Sequence, residues 1–305
     1  MQLLYFFESI RSPIFDALFS AVTHAGEETV FIIVGLLLFW CVSKQKGYFL
    51  LCIGLMGTVV NQLLKLIFRV PRPWVRDPAF TIVESARAEA TGYSFPSGHT
   101  QISVSVYGGI ARVFSHRLVR IACVLLCVLV PVSRMYLGVH TPADVFTSVA
   151  IALALILVME PLVARGMDEP RVMRAIFAAM ALLSAALLLY AKYYPFPAGS
   201  DMENIAHGLS NASKMLGCTA GLALTYEMDS RYIRFDVRAP LFAQAVKLLV
   251  GFALLMAIKS GLKSPLQALL GAGMGDFLRY FLMVAFAGCL WPLTFPRIIR
   301  LMGKK

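Results

Sequence analysis

Charge is scarce in this chain. Asp, Glu, Lys and Arg make up 15% of 305 residues, hydrophobic residues make up 59%, and mean hydropathy is +0.74. A soluble domain carries about 25% charged and about 45–50% apolar residues. The scarcity excludes a water-soluble globule and implies an integral membrane protein. Long polar segments are lacking too: the longest is 70–97, and neither a repeat nor a low-complexity tract interrupts the apolar runs. The six cysteines (Cys41, Cys52, Cys123, Cys127, Cys218, Cys289) lie inside those runs with no CxxC spacing. They suggest neither a zinc site nor a disulfide framework, but buried free thiols. The opening stretch MQLLYFFESIRSPIFDALF lacks a basic lead and a clean apolar run. It reads as an amphipathic interfacial helix rather than a cleaved signal peptide. Acidic residues are outnumbered, 17 against 28 basic, for a net charge of +11. In a membrane chain that excess anchors cytoplasmic loops, so no nucleic-acid partner is expected.

What is there is a series of apolar runs. Their breaks predict an all-α polytopic membrane protein with about nine transmembrane helices, over 29–43, 47–69, 98–115, 119–138, 142–164, 171–191, 205–227, 241–262 and 276–296. Alternate connections hold 15 Lys and Arg on one side, among them Lys44, Arg112, Arg165 and Arg231, against 10 on the other. The richer side is cytoplasmic. An odd span count then puts the N-terminus outside and the C-terminus inside. Segments 70–97 and 134–141 both face outward, so polar pieces distant in sequence meet at one membrane face.

Three pieces lie there. Lys65 and Arg72, six residues between them, close the second span, where Pro71 and Pro73 break the helix. A charge at the end of an apolar span is an interfacial anchor or has a partner. Next comes Pro96-Ser97-Gly98-His99 at the start of the third span. Ser97 reads as an N-cap, and the unpaired N–H groups of a helix start, with its dipole, attract an anion. Gly98 lets a ligand approach the backbone closely. The third piece runs from Ser133-Arg134 to His140 and Asp144. Thr141-Pro142 signals a helix start, which sets Asp144 in the first turn beside His140. A carboxylate there can hold Nδ1–H and leave Nε2 basic; the alternative is a plain cap with an exposed histidine. Together, three cations (Lys65, Arg72, Arg134), a helix start and two histidines read as a site for a tetrahedral oxyanion, with phosphate the natural candidate.

The ordered set K-x6-RP, PSGH and SR-x5-H-x3-D, complete here as Lys65, Arg72, Pro73; Pro96–His99; and Ser133, Arg134, His140, Asp144, resembles the type-2 phosphatidic acid phosphatases. Their superfamily includes lipid phosphate phosphatases, glucose-6-phosphatase and vanadium haloperoxidases. The resemblance implies a six-helix phosphatase core over 1–190 and leaves 191–305 as a three-helix C-terminal extension of unknown role. It also implies that His140 attacks phosphorus, oriented by Asp144, to give a phosphohistidine. His99 would protonate the leaving group and then activate water. Lys65, Arg72, Arg134, Ser97 and Gly98 would bind the phosphate oxygens. No metal or other cofactor is expected, because the site is built from cations and holds no carboxylate cluster for magnesium.

The substrate expected is a lipid phosphate or lipid pyrophosphate, reached from the bilayer at the extracytoplasmic face of the plasma membrane. The rivals are a soluble sugar phosphate such as glucose 6-phosphate, phosphoryl transfer to another acceptor, and a non-catalytic phosphate-binding transporter. Oligomeric state is not read from the sequence. Glu203 and His207 read as a surface pair at a helix start, and Glu27 and Glu28 as first-turn acids. His24 and His116 read as structural, Trp74 and Tyr93 as interfacial aromatics. Asn61, one turn before Lys65, is expected to hydrogen-bond inside the bundle, and Gly217 with Gly221 to mark close helix packing.

Overall fold

The computed structural model describes residues 1–302 as helices joined by turns and loops, with no strand among the described residues. Local chemistry sets the helix ends. α1 (Gln2–Ser9) is followed by α2 (Pro13–Thr23), where the Ser12 hydroxyl accepts from the Phe15 N–H at 3.4 Å and Pro13 takes the first helical position. A 3₁₀ turn, His24–Gly26, leads to α3 (Glu28–Leu37). α4 (Lys44–Phe68) ends before Pro71, and Pro73 opens the single turn α5 (Pro73–Arg76). α6 (Gly98–Ser103), a π-helical turn over Val104–Gly108 and α7 (Gly109–Val113) form one continuous helix. α8 (Arg117–Tyr136) and α9 (Pro142–Asp168) follow, then α10 (Pro170–Tyr193), α11 (Met202–Met228), α12 (Leu241–Gly261), α13 (Lys263–Ala285), broken at Gly271, and α14 (Phe295–Met302).

The architecture is the all-α polytopic one the apolar runs predict. Six of the described helical segments are long and apolar enough to cross a membrane, or seven if the pair Pro13–Gly26 and Glu28–Val42, bent by 48°, is one span. The count of nine is not confirmed. The helix over 98–113 stands where a span was expected but is shorter than the roughly 20 residues that cross a bilayer. α11 is long enough, but Asn204, His207, Asn211 and Lys214 interrupt its apolar run.

The chain divides into two compact units. The first gathers Met1–Phe31, Cys52–Met159 and Pro195–Gly208. Within it, loop 77–97 is held by apolar contact and by one guanidinium. Phe80 and Ile82 cluster with Leu4, Met135 and Val145, and Ala86 with Tyr136, Leu137 and Val139. Arg11 donates to the Tyr136 carbonyl at 3.2 Å and to the Thr81 carbonyl at 3.0 Å, tying the loop to the end of α8. The amphipathic N-terminal helices therefore have an inner face, with Leu4 fully buried, while Ile14, Phe15 and Leu18 stay exposed. α8 ends at Gly138, whose φ of +82° is the left-handed conformation that glycine adopts without penalty. The Val139 and His140 N–H groups turn back onto the Arg134 carbonyl at 3.2 and 3.3 Å, and this reversal aims His140 toward the start of α9.

The second unit comprises Ile32–Leu51, Glu160–Tyr194 and the chain from Leu209 onward. Gly217 and Gly221 of α11 lie against Phe277 and Val284 of α13, so close that an added Cβ would come within 2.3 and 2.7 Å of them. This is the packing role the sequence suggests. The buried Asp276 carboxylate accepts from Ser210, Gln267 and Arg279 at 2.6, 3.1 and 2.6 Å, which satisfies a charge that would otherwise be costly in an apolar surround.

Candidate functional site

All eight residues singled out from the sequence fall in the first unit. Ser97 begins the helix over 98–113. Its Oγ lies 3.5 Å from the Thr100 N, a long capping contact, and its own N–H donates to the Asp144 carbonyl at 3.1 Å. Ser148 Oγ donates to the Ser97 carbonyl at 2.8 Å. The second and third sequence pieces are thereby fastened at their helix starts. A Cβ at Gly98 would meet nothing within 4 Å, so the space in front of this helix start is open.

His140 and Asp144 are both about 2% exposed, and His140 Nδ1 stands 3.4 Å from Asp144 Oδ2. Ser94 Oγ and the Thr141 N–H fix that oxygen at 2.6 and 2.8 Å. On the other side of the ring, Arg72 Nη1 lies 3.0 Å from Nε2. A guanidinium has only protons to offer, so Nε2 carries its lone pair and the ring proton sits on Nδ1, toward Asp144. Burial and the neighbouring Arg72 charge hold the His140 pKa well below the ordinary imidazole value. The arrangement supplies a neutral, oriented imidazole with a basic nitrogen facing a cation.

The cations are buried: Lys65 and Arg72 are each 7% exposed and Arg134 is 1%. Lys65 Nζ donates to the Tyr93 carbonyl, and Arg72 to the carbonyls of Val139, Gly92 and Thr91 at 3.0, 3.1 and 2.7 Å. Arg134 Nη1 donates to Thr23 Oγ1 at 2.7 Å, and its Nε has no hydrogen-bond partner. The three charges lie close enough to act on one another. Buried cations held by carbonyls, one with an unused donor, leave a positive charge that an anion would neutralise.

His99 sits beside this set. Its Nε2 is enclosed, makes no hydrogen bond, and lies 3.5 Å from Glu89 Oε2. The His99 ring keeps the Glu89 carboxyl below its ordinary pKa. Glu89, Ser94 and Thr23 are partners that sequence reasoning missed. None stands at a helical spacing from the residue it serves, and loop 77–97 has no periodicity from which to place them. Tyr93, expected as an interfacial aromatic, is 5% exposed, and its carbonyl is the partner of Lys65. Asn61 departs from expectation: it is buried, and neither amide atom finds a hydrogen-bond partner. Glu203 and His207 form the exposed pair foreseen, 3.7 Å apart. A cavity of about 380 Å³ opens beside Arg72, lined by Arg69, Tyr93, Ser200, Asp201 and Asn204 among others.

Comparison with known proteins gives two family matches. Residues 45–167 match the PAP2 superfamily, and residues 213–304 match its phosphatase transmembrane extension. The chain is similar to Undecaprenyl-diphosphatase BcrC of Bacillus subtilis (strain 168), 35% identical over 33% of this chain and 49% of that protein. It is similar to Phosphatidylglycerophosphatase B of the same organism, 29% identical over 52% of this chain and 78% of that protein. A third relative, a Probable sphingosine-1-phosphate phosphatase of Dictyostelium discoideum, is 30% identical over 49% of this chain and 39% of that protein. The match thus spans about half the length of the first relative. No solved structure matches.

Proposed function

The chain belongs to the PAP2 superfamily, and on that premise we propose that it is a phosphohydrolase that removes the terminal phosphate of a lipid phosphate or lipid diphosphate without a metal ion. The observation that carries this reading is the environment of His140: a lone pair on Nε2 facing Arg72, with Asp144 behind Nδ1. Incoming phosphate takes Arg72 from the imidazole, which frees Nε2 to attack. The N–P bond forms as the P–O bond to the leaving group breaks, and His99 gives that oxygen a proton. Water then attacks the phosphohistidine, His99 takes its proton, and phosphate leaves. Lys65, Arg72, Arg134, the Ser97 hydroxyl and the Gly98 N–H hold the three equatorial oxygens, where charge builds up in the transition state. Transition-state charge is met by side chains and backbone, so no step needs magnesium.

The names of the three relatives all concern phosphorylated lipids, and the catalytic pieces lie at the ends of apolar helices. Both favour a lipid over a soluble sugar phosphate. The cavity beside Arg72 would take the part of the substrate next to the transferred group. In this reading the site opens to the extracytoplasmic face of the plasma membrane, as the balance of Lys and Arg between loops implies.

Purified protein is expected to release phosphate from phosphatidic acid or undecaprenyl diphosphate in excess EDTA, with vanadate as an inhibitor and glucose 6-phosphate a poor substrate. Activity lost in EDTA and restored by magnesium would end the metal-free mechanism. The sidedness is checked by Ala88→Cys, an exposed position in loop 77–97. A membrane-impermeant maleimide should label it in intact cells, and labelling only after lysis would reverse the orientation.

A further inference from the structure

Asn61 is a buried polar residue that no step above uses. It is 1% exposed, and neither Oδ1 nor Nδ2 finds a hydrogen-bond partner. An amide enclosed without partners is costly to stability, and such a group calls for something that it holds in another state. Its neighbours on α4 fix what it faces. Gly57, one turn earlier, packs against Gln101: a Cβ there would stand 2.5 Å from Gln101 Nε2. Lys65, one turn later, donates to the Tyr93 carbonyl. Residues four apart share a helix face, so these two contacts bracket Asn61. Ser97 stands midway in sequence between Tyr93 and Gln101 and caps the helix over 98–113. The register therefore sets Asn61 level with that helix start, where the space in front of Gly98 is open. Gln101 Nε2 donates to Ser105 Oγ at 3.3 Å, one turn further from the start.

We propose that Asn61 is a further phosphate-binding residue, whose Nδ2 donates to an equatorial oxygen of the transferred group beside Lys65 and the Ser97 hydroxyl. The neighbours orient the amide. An ammonium has only protons to give, so Oδ1 turns to Lys65 and the NH₂ end is left for the oxyanion. This role rests on the phosphatase reading above. Equatorial oxygens are common to every substrate, so the contact serves alkyl and aryl phosphates alike. The amide is kept for the bound state at the expense of the free one, a trade seen at functional sites.

The test compares the parent full chain with Asn61→Val, apolar and close in size, and Asn61→Asp, which keeps the shape and loses the donors. The probe is orthovanadate, whose equatorial oxygens stand in for those of the transferred group, with binding read by calorimetry and by the shift in thermal midpoint. Without ligand, Asn61→Val should melt a few degrees above the parent. Both variants should bind vanadate about tenfold to a hundredfold more weakly, and kcat/KM should fall by a similar factor with phosphatidic acid and with an aryl phosphate. Parent-like vanadate affinity and turnover in both variants would overturn the role. So would a lowered thermal midpoint in Asn61→Val with unchanged affinity, the mark of a packing residue. A loss confined to alkyl substrates would overturn it too, because it would move Asn61 to the leaving group. Vanadate binding that weakens in the variants of a protein that releases no phosphate would uphold the contact and count against the phosphatase reading.

Discussion

His140→Asn is expected to lower phosphate release by at least about 10⁴-fold, or more than about 5 kcal/mol of transition-state stabilisation, while the protein stays folded. No other group in the site offers a lone pair held between a carboxylate and a guanidinium. Asn keeps much of the ring's bulk, and Arg72 retains its three carbonyl partners, so the thermal midpoint should move by only a few degrees. Rapid quenching of the parent with a labelled substrate should trap an acid-labile phosphoryl group, and the variant should trap none. The pH dependence follows from the lowered pKa of His140. Its neutral, nucleophilic form persists on acidification through about 6.5, where a free imidazole would protonate. Loss of the nucleophile therefore sets in only at distinctly lower pH, while the rate at higher pH follows protonation of the general acid His99, whose pKa burial and the Arg134 charge lower. Full activity in His140→Asn, or a phosphoryl group trapped on another residue, would remove His140 from its role.

Much of this site is legible because its elements are local. A Ser before Gly-His and a Thr-Pro before Ala-Asp are helix starts by capping rules alone, and both starts occur where the rules put them. Charge balance between loops brings the two starts to one face, and they meet through the Ser97 N–H on the Asp144 carbonyl at 3.1 Å. The partners of these residues are another matter. Glu89 reaches His99, Ser94 reaches Asp144 and Thr23 reaches Arg134 because loop 77–97 and α2 fold over the end of α8 through Leu4, Phe80, Ile82 and Arg11. That placement is tertiary and leaves no periodic trace. The span count of nine is not confirmed, for a related reason. Apolar runs report burial in protein as well as in lipid, and the helix over 98–113 carries Thr100, Gln101, Ser103 and Ser105 fully or nearly fully buried.

His99→Asn carries the second large effect, and its size should depend on the leaving group. A general acid contributes about 10²–10⁴-fold when the departing oxygen is a poor leaving group. An alkyl phosphate such as phosphatidic acid releases an alkoxide, and its hydrolysis should fall by that amount. An aryl phosphate with a strongly acidic phenol needs little protonation to leave, so its burst of phenol release should fall by less than about tenfold. The second half of the reaction distinguishes this account from a merely structural role. Water attack on the phosphohistidine also needs a base, and His99 is the group assigned to it. The variant should therefore accumulate phosphoenzyme with the aryl substrate while overall turnover stays low. Glu89→Gln keeps the ring but weakens its orientation, so it should show the same leaving-group trend at a fraction of the size, with KM little changed. A uniform loss across leaving groups with no accumulated phosphoenzyme would mean that His99 only shapes the pocket. The asymmetry between substrates would assign it both proton transfers, and would make the diphosphate or monophosphate nature of the natural lipid the factor that decides which transfer limits the rate.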